Sequence, residues 1–517
     1  AAFASFQQLY AAGVTPETVD TGDATTDALY GAIYPLFQGA DAATIGAQNL
    51  AVAWSFKTQS IGASLNSVEG MATAQDSGFA PIPKNGVDYS NGIATTADLN
   101  QQLQGKSDVY VGIIELPYFH DAENPLSGFW QADGAECVMA LPSTPTSTTG
   151  ACPMPEVSTM LRVPVLLTVP NANSATAGAI AGVAIFEHGI TRNRSDMLAI
   201  ADAMADAGRA TISIDIALHG ITDTTSPLYA SPDNPLYQGA AQASGDATLV
   251  EGLTEATFNL DADGDGEIDS SGAHFINLAS LLTTRDNMRQ TVSNLVYLAK
   301  TIPTMDYNAA LDGGASGADF TGLPIGFVGQ SLGAINGTTF LGVNADANAG
   351  VVNVPGGVLT QLLTNSNTFA PVINAGLEQN GVIAGTRFYE EFLRNAQTVV
   401  DSGDPINYAA AANGSHPVLM HEVIGGSTSQ PDQVVPNSAT EALAAAMGLA
   451  QVGPGLYTGT EVDALVKFTA GDHGSLLDPT ASLSVTQEMQ TQAASFIGSN
   501  GQQLPVGSVD ATVIDQP

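Results

Sequence analysis

PIGFVGQSLGAING, residues 324–337, reads as an apolar strand that breaks into a helix at Gly329-Gln330-Ser331-Leu332-Gly333. In a G-x-S-x-G of this kind the serine sits on a strained strand-to-helix turn with its hydroxyl raised above the sheet, and the flanking glycines relieve the crowding. Five letters alone are a weak signal; the strand before them and the helix after them make Ser331 the expected nucleophile.

On either side, apolar runs at 162–169, 181–186, 210–215, 417–424 and 464–468 alternate with helical patterns at 195–207, 275–301, 332–341, 439–447 and 484–497. That alternation is the signature of βαβ units and a mostly parallel sheet. The expected fold class is α/β, an α/β-hydrolase with residues 161–517 as catalytic domain. Two segments stand outside the alternation, turn-rich 221–272 and helical 356–407, and insertions of that size after strands form lids. Residues 1–160 read as an irregular N-terminal region of short β-like runs, at 51–58 and 109–116, with helices near 25–37 and 96–103.

A serine needs a base to take its proton, and in this fold class acid and His follow the nucleophile in that order. Of the histidines after Ser331, only His473 lies beyond a late strand, in KFTAGDHGSLLDP; His416 and His421 belong to the preceding strand and read as structural. The loop after that strand, GGSTSQPDQVVPN, offers Asp432 as the orienting carboxylate. Two backbone N–H groups should meet the oxyanion. Leu332 supplies one and Ile190 the other, since the strand AGVAIF runs into Glu187-His188-Gly189-Ile190, where Gly189 permits close approach. His188 and Gly189, His219 in the parallel motif ALHG, and Gln330 are the expected substrate-binding residues, with His188 holding its loop rather than moving protons.

In LDADGDGEIDSSG, Asp261, Asp263 and Asp265 fall at positions 1, 3 and 5 of an EF-type loop, Glu267 at 7 and Asp269 at 9, but Gly272 replaces the bidentate Glu at 12. These oxygens suit a structural Ca²⁺; catalysis is expected to need no cofactor.

The chain has 517 residues, 13 Lys+Arg against 51 Asp+Glu and a net charge of −38, which excludes nucleic acid and anionic membranes as partners. With 44% hydrophobic and 12% charged residues it is not disordered. No apolar run approaches the ~18 residues of a membrane span, so a soluble chain is expected. The opening AAFASF lacks a basic n-region, so any secretion signal is expected to have been removed or omitted. The two cysteines, Cys137 and Cys152, lie in a Pro/Ser/Thr-rich surface stretch. They are either two unrelated thiols or a disulfide that contributes about 3 kcal/mol and implies an oxidising, secreted or cell-surface setting. Dispersed acidity also fits a saline one. Oligomeric state has no signal here.

Several stretches together resemble the bacterial extracellular lipases of the VolA type, surface lysophospholipases that pair a virulence-factor-lipase N-terminal domain with an α/β-hydrolase. They are WSFKTQS at 54–60, IFEHGIT at 185–191, IDIALHG at 214–220, IDSSGAHFINLASLLTTRDNMRQ at 268–290, GFVGQSLGAINGT at 326–338, TVVDSGDPINYA at 398–409, PDQVVPN at 431–437 and HGSLLDP at 473–479. The resemblance spans most of 51–479. It implies an ester hydrolase with Ser331, Asp432 and His473 in the triad positions. It also implies that residues 1–160 hold at most a partial β-rich lipase N-terminal domain, absent or cropped, since only about fifty residues precede WSFKTQS. The reading is a secreted serine carboxylesterase or lipase acting on small-molecule or lipid acyl esters. The alternatives are a polyester depolymerase or a thioesterase or peptidase with the same triad, and an inert calcium-stabilised binding module.

Overall fold

Val, Ile and Leu runs bounded by Gly and Pro build one nine-stranded sheet in the computed structural model, which describes residues 2–51, 59–138, 143, 145–315, 317–427 and 429–517. In chain order its strands are β1 (Ser77–Pro81), β2 (Ser107–Tyr118), β3 (Thr159–Pro170), β4 (Gly182–Glu187), β5 (Arg209–Ile214), β6 (Ile325–Gln330), β7 (Ala347–Asn353) and β8 (Val418–Val423). After β9 (Gly455–Thr458), which pairs with β11 (Gln503–Val506) in a separate ribbon, β10 (Ala464–Phe468) closes the series. The spatial order is β1-β2-β3-β5-β4-β6-β7-β8-β10. From β5 to β10 all neighbours are parallel; β1, β2 and β3 extend one edge in antiparallel pairing. This is the α/β-hydrolase fold.

The period of two along a strand divides the core between the two faces. Val183 and Ile185 of β4 and Phe327 of β6 pack with Val292, Leu295, Val296 and Phe340 on one side. Ala184, Phe186 and Val328 pack on the other with Met197, Ile200, Met489 and Phe496. Because β4, β5 and β6 are covered on both faces, every residue of theirs is buried, and their apolar runs are nearly continuous. No helix among the described residues is long and apolar enough to cross a membrane.

Three expectations are corrected. The boundary at 160 falls inside the sheet: β2 pairs with β3 over its full length, from Ser107 opposite Pro170 to Tyr118 opposite Thr159, and the chain divides instead between Ser60 and Ile61. The first unit is helical rather than β-rich, with helices Ala2–Ala11 and Ala24–Ala42 and a small core of Phe6, Tyr30, Phe37 and Ala47. The β-like run at 51–58 and most of WSFKTQS lie outside the described residues. Third, ANAGVVN forms the interior strand β7, which the alternation omitted because its Ala, Asn and Gly carry little β signal. Cys137 and Cys152 form a disulfide, with Cys152 buried.

Segment 221–272 is mainly loop with one α-helix, Pro235–Ala243, and a short 3-10 helix, Ala247–Val250. Segment 356–407 forms three helices, Leu359–Asn365, Ala370–Gln379 and Arg387–Val400, called here the cap.

Candidate active site

Strand β6 delivers Ser331 into a turn with φ 58° and ψ −118°, a conformation that costs a non-glycine residue on the order of 1–3 kcal/mol. The surroundings hold it there. The Ser331 N–H donates to Asn353 O at 2.9 Å, and its carbonyl accepts from Ala334 and Ile335 in the first turn of helix Leu332–Val343. A Cβ on Gly329 would strike the Gly333 carbonyl, and one on Gly333 would strike the Glu187 carbonyl at the end of β4. Both glycines of the motif are therefore required by backbone contact.

The loops after β8 and β10 bring Asp432 and His473 to this turn. His473 Nε2 is 2.7 Å from Ser331 Oγ and His473 Nδ1 is 2.6 Å from Asp432 Oδ2. The second carboxylate oxygen of Asp432 accepts the N–H groups of Val434 at 2.8 Å and Val435 at 3.1 Å. A carboxylate only accepts, so Nδ1 carries the proton and Nε2 is free to accept from the serine hydroxyl. The His473 loop is pinned as well: Gln330 Nε2 donates to the His473 carbonyl at 2.9 Å, and Ser429 Oγ donates to Gly471 O at 2.6 Å.

The other two late histidines are interior. His416 Nε2 meets Asn344 O at 2.8 Å, and His421 sits fully buried between Asn353 and Gln492. Burial pushes the His421 ring down to about 3 from an ordinary 6.5. Below pH 6.5 the unfolded chain therefore binds a proton that the folded one refuses. The contribution is complete above pH 6.5 and falls toward pH 3, by up to about 1.4 kcal/mol per pH unit. Urea midpoints measured from pH 7 to pH 4.5 should decline less steeply for His421→Gln than for the parent; parallel lines would refute this.

The turn after β4 packs directly on Ser331: a Cβ on Gly189 would stand 2.7 Å from Gln330 Oε1 and 3.3 Å from Ser331 Cβ. The N–H groups of Leu332 and Ile190 meet no acceptor among the described residues, and both residues line the cavity at Ser331. The four residues expected to bind substrate lie outside that wall. His188 and His219 are fully buried, their rings 5.3 Å apart, with His219 set edge-on behind Phe275. Burial first, then His188, lowers the His219 ring to about 3. Gly189 serves the close approach and Gln330 the His473 loop. A strand-end histidine can turn inward or outward, and buried partners decide which; His188 holds its own loop, as its sequence position suggests.

The cavity wall was not foreseen. It joins Leu332 and Ile335 of the helix after Ser331 to Phe275, Leu281 and Met288 and to Leu359, Ile373, Leu377, Phe392 and Leu393 of the cap. Apart from Ser331 its polar members are Thr284, Thr360 and Thr364, and no charged side chain lines it among the described residues. The available signal was the cap helix Arg387–Val400, whose Tyr389, Phe392, Leu393, Ala396 and Val400 recur at helical spacing.

In the acidic loop, carboxylates of Asp261, Asp263 and Asp265 lie within 4.8 Å of one another, all exposed. Glu267 and Asp269 are not in that group; Asp269 Oδ2 is turned to the Ala262 N–H at 2.7 Å and His274 Nε2 at 2.8 Å. The five-ligand set read from spacing is therefore not assembled. Asp261 is itself engaged, accepting from the N–H groups of Gly264, Asp265 and Gly266.

No protein-family model and no curated protein matches the chain. Solved structures similar to it include acetyl xylan esterase 1 from Thermoanaerobacterium sp. JW/SL YS485, 12% identical over 84% of this chain and 92% of that one, TM-score 0.39. An acetyl xylan esterase from Paenibacillus sp. R4 is 10% identical over 79% and 86%, TM-score 0.38. A Pyrococcus horikoshii acylaminoacyl peptidase is 13% identical, TM-score 0.35, over 66% of this chain but 40% of the peptidase, so the chain spans less than half its length.

Proposed function

We propose that this chain is a serine carboxylic ester hydrolase for substrates with an extended apolar acyl group. The observation that carries the reading is a Ser331–His473–Asp432 relay opening onto a cavity without charged walls. Ser331 Oγ attacks the ester carbonyl while His473 Nε2 takes its proton; the oxygen, now anionic, is met by the Leu332 and Ile190 N–H groups. His473 returns the proton to the leaving alcohol, and water repeats the cycle on the acyl-enzyme. Calcium has no part in these steps.

The apolar wall favours lipase or lysophospholipase substrates over acetylated sugars, and the VolA-type motifs support a lysophospholipid. The disulfide supports a secreted or cell-surface setting. A polyester depolymerase would need an open groove, whereas three cap helices contribute to this wall.

A p-nitrophenyl ester series tests the reading. Each CH₂ buried is worth about 0.8 kcal/mol, so kcat/KM should climb up to about fourfold per methylene until the cavity is filled. A carboxylate at the acyl end should abolish the gain, because an unpaired charge is costly against such a wall. A preference for acetyl over octanoyl would overturn the substrate assignment.

A further inference from the structure

The peptide joining Gly189 to Ile190 has its two polar ends in opposite surroundings. Its carbonyl accepts from His188 Nδ1 at 2.8 Å and from the Arg192 N–H at 3.2 Å. The peptide is trans, so the Ile190 N–H points away from that carbonyl, and Ile190 lines the cavity at Ser331. Whatever holds the carbonyl thereby aims the N–H.

The His188 ring is fixed in one state. Its Nε2 accepts the Ile216 N–H at 3.1 Å, so the proton sits on Nδ1 and is donated to Gly189 O. Burial, the largest influence, lowers the basicity of the ring. Asp215 stands 3.6 Å from Nε2, beyond hydrogen-bond reach, and is engaged by Arg194. The far end of the turn is anchored by that arginine. Its backbone N–H donates to Asp215 Oδ1 at 2.7 Å, and its guanidinium grips Asp215 and both oxygens of Glu255, at 2.6 and 2.9 Å. Glu255 in turn accepts the N–H groups of Ile221 and Ala230 from the 221–272 segment.

We infer that His188 is a positioning residue for oxyanion stabilisation: its Nδ1–H holds the Gly189 carbonyl so that the Ile190 N–H faces the oxygen where charge develops. This rests on the serine-hydrolase reading of the same site. The ring touches no reacting atom and transfers no proton; its effect is on the tetrahedral state and not on substrate uptake.

Two substitutions separate the ring's two nitrogens. His188→Asn puts an amide N–H where Nδ1 stood. His188→Gln reaches the Nε2 position, where its oxygen can accept from Ile216, and leaves Gly189 O without that donor. Loss of an oxyanion donor lowers kcat about 10²- to 10³-fold. The Gln variant should show that loss with KM within about threefold, and a matched trifluoromethyl ketone, which forms a tetrahedral adduct, should weaken in parallel. The Asn variant should keep kcat within about tenfold of wild type. Equal losses in the two variants, or a fall in kcat with ketone affinity unchanged, would overturn the inference. Imidazole ¹⁵N shifts of the wild-type chain read the tautomer without any substitution, and a proton on Nε2 would overturn it too. If wild type neither hydrolyses the ester nor takes a fluorophosphonate on Ser331, the hydrolase reading fails and this inference with it. If wild type does both and His188→Gln keeps its kcat, this inference fails alone.

Discussion

Ser331→Ala is expected to leave a folded chain whose turnover of p-nitrophenyl octanoate has dropped by about 10⁶-fold, to the residual rate that binding and the oxyanion donors sustain. The size of the loss follows from the role: without Oγ no acyl-enzyme forms and His473 has no proton to take. Stability should hardly move. Alanine keeps the Cβ and hence the turn at φ 58°, and what the hydroxyl contributes is its hydrogen bond to His473 Nε2. Ser331→Gly separates the two properties, because it removes the nucleophile and also the left-handed strain, so it should be as inactive as alanine yet melt higher. A fluorophosphonate should label wild type at Ser331 and neither variant. Turnover by Ser331→Ala above about a thousandth of wild type would show that another group attacks the ester.

The parts of this site that could be read from sequence are fixed either by backbone geometry that only certain residues tolerate or by the order of the elements along the chain. Gly329 and Gly333 flank Ser331 because no side chain fits there, and Gly189 stands where the turn after β4 meets the turn at Ser331. Asp432 and His473 follow from the order of strands and loops. What could not be read depends on side-chain direction and on contacts between distant segments. The apolar residues of the cap helix Arg387–Val400 could have belonged to an ordinary core stripe; only the folded chain places Phe392 and Leu393 in one cavity wall with Ser331 and Met288. The antiparallel edge from β1 to β3 was lost for a similar reason, since Val109 to Leu116 alternates no differently from a strand in a separate domain until Leu167 and Leu166 lie opposite Tyr110 and Val111 in one ladder. In the acidic loop the spacing does bring Asp261, Asp263 and Asp265 together, while Asp269 is turned to the Ala262 N–H and to His274.

Asp432→Asn should lower kcat by about 10⁴-fold with little change in KM, and the direction in which the amide settles explains why. The Val434 and Val435 N–H groups donate to Oδ1 of Asp432, so an asparagine there places its carbonyl oxygen toward them and its NH₂ toward His473. An NH₂ group cannot accept the Nδ1 proton. His473 must then present a bare Nδ1 to the amide, which moves its proton to Nε2, the nitrogen that has to accept from Ser331 Oγ at 2.7 Å. The imidazole stays in place in the wrong tautomer, and the imidazolium that forms during attack loses its carboxylate as well. Asp432→Ala removes the barrier to tautomer exchange along with the carboxylate, so it should retain more activity than asparagine even though it deletes more contacts. A structural role alone predicts the reverse order, alanine worse than asparagine. Measuring kcat for both variants beside their melting temperatures distinguishes these outcomes, and an asparagine variant within about tenfold of wild type would remove Asp432 from the relay.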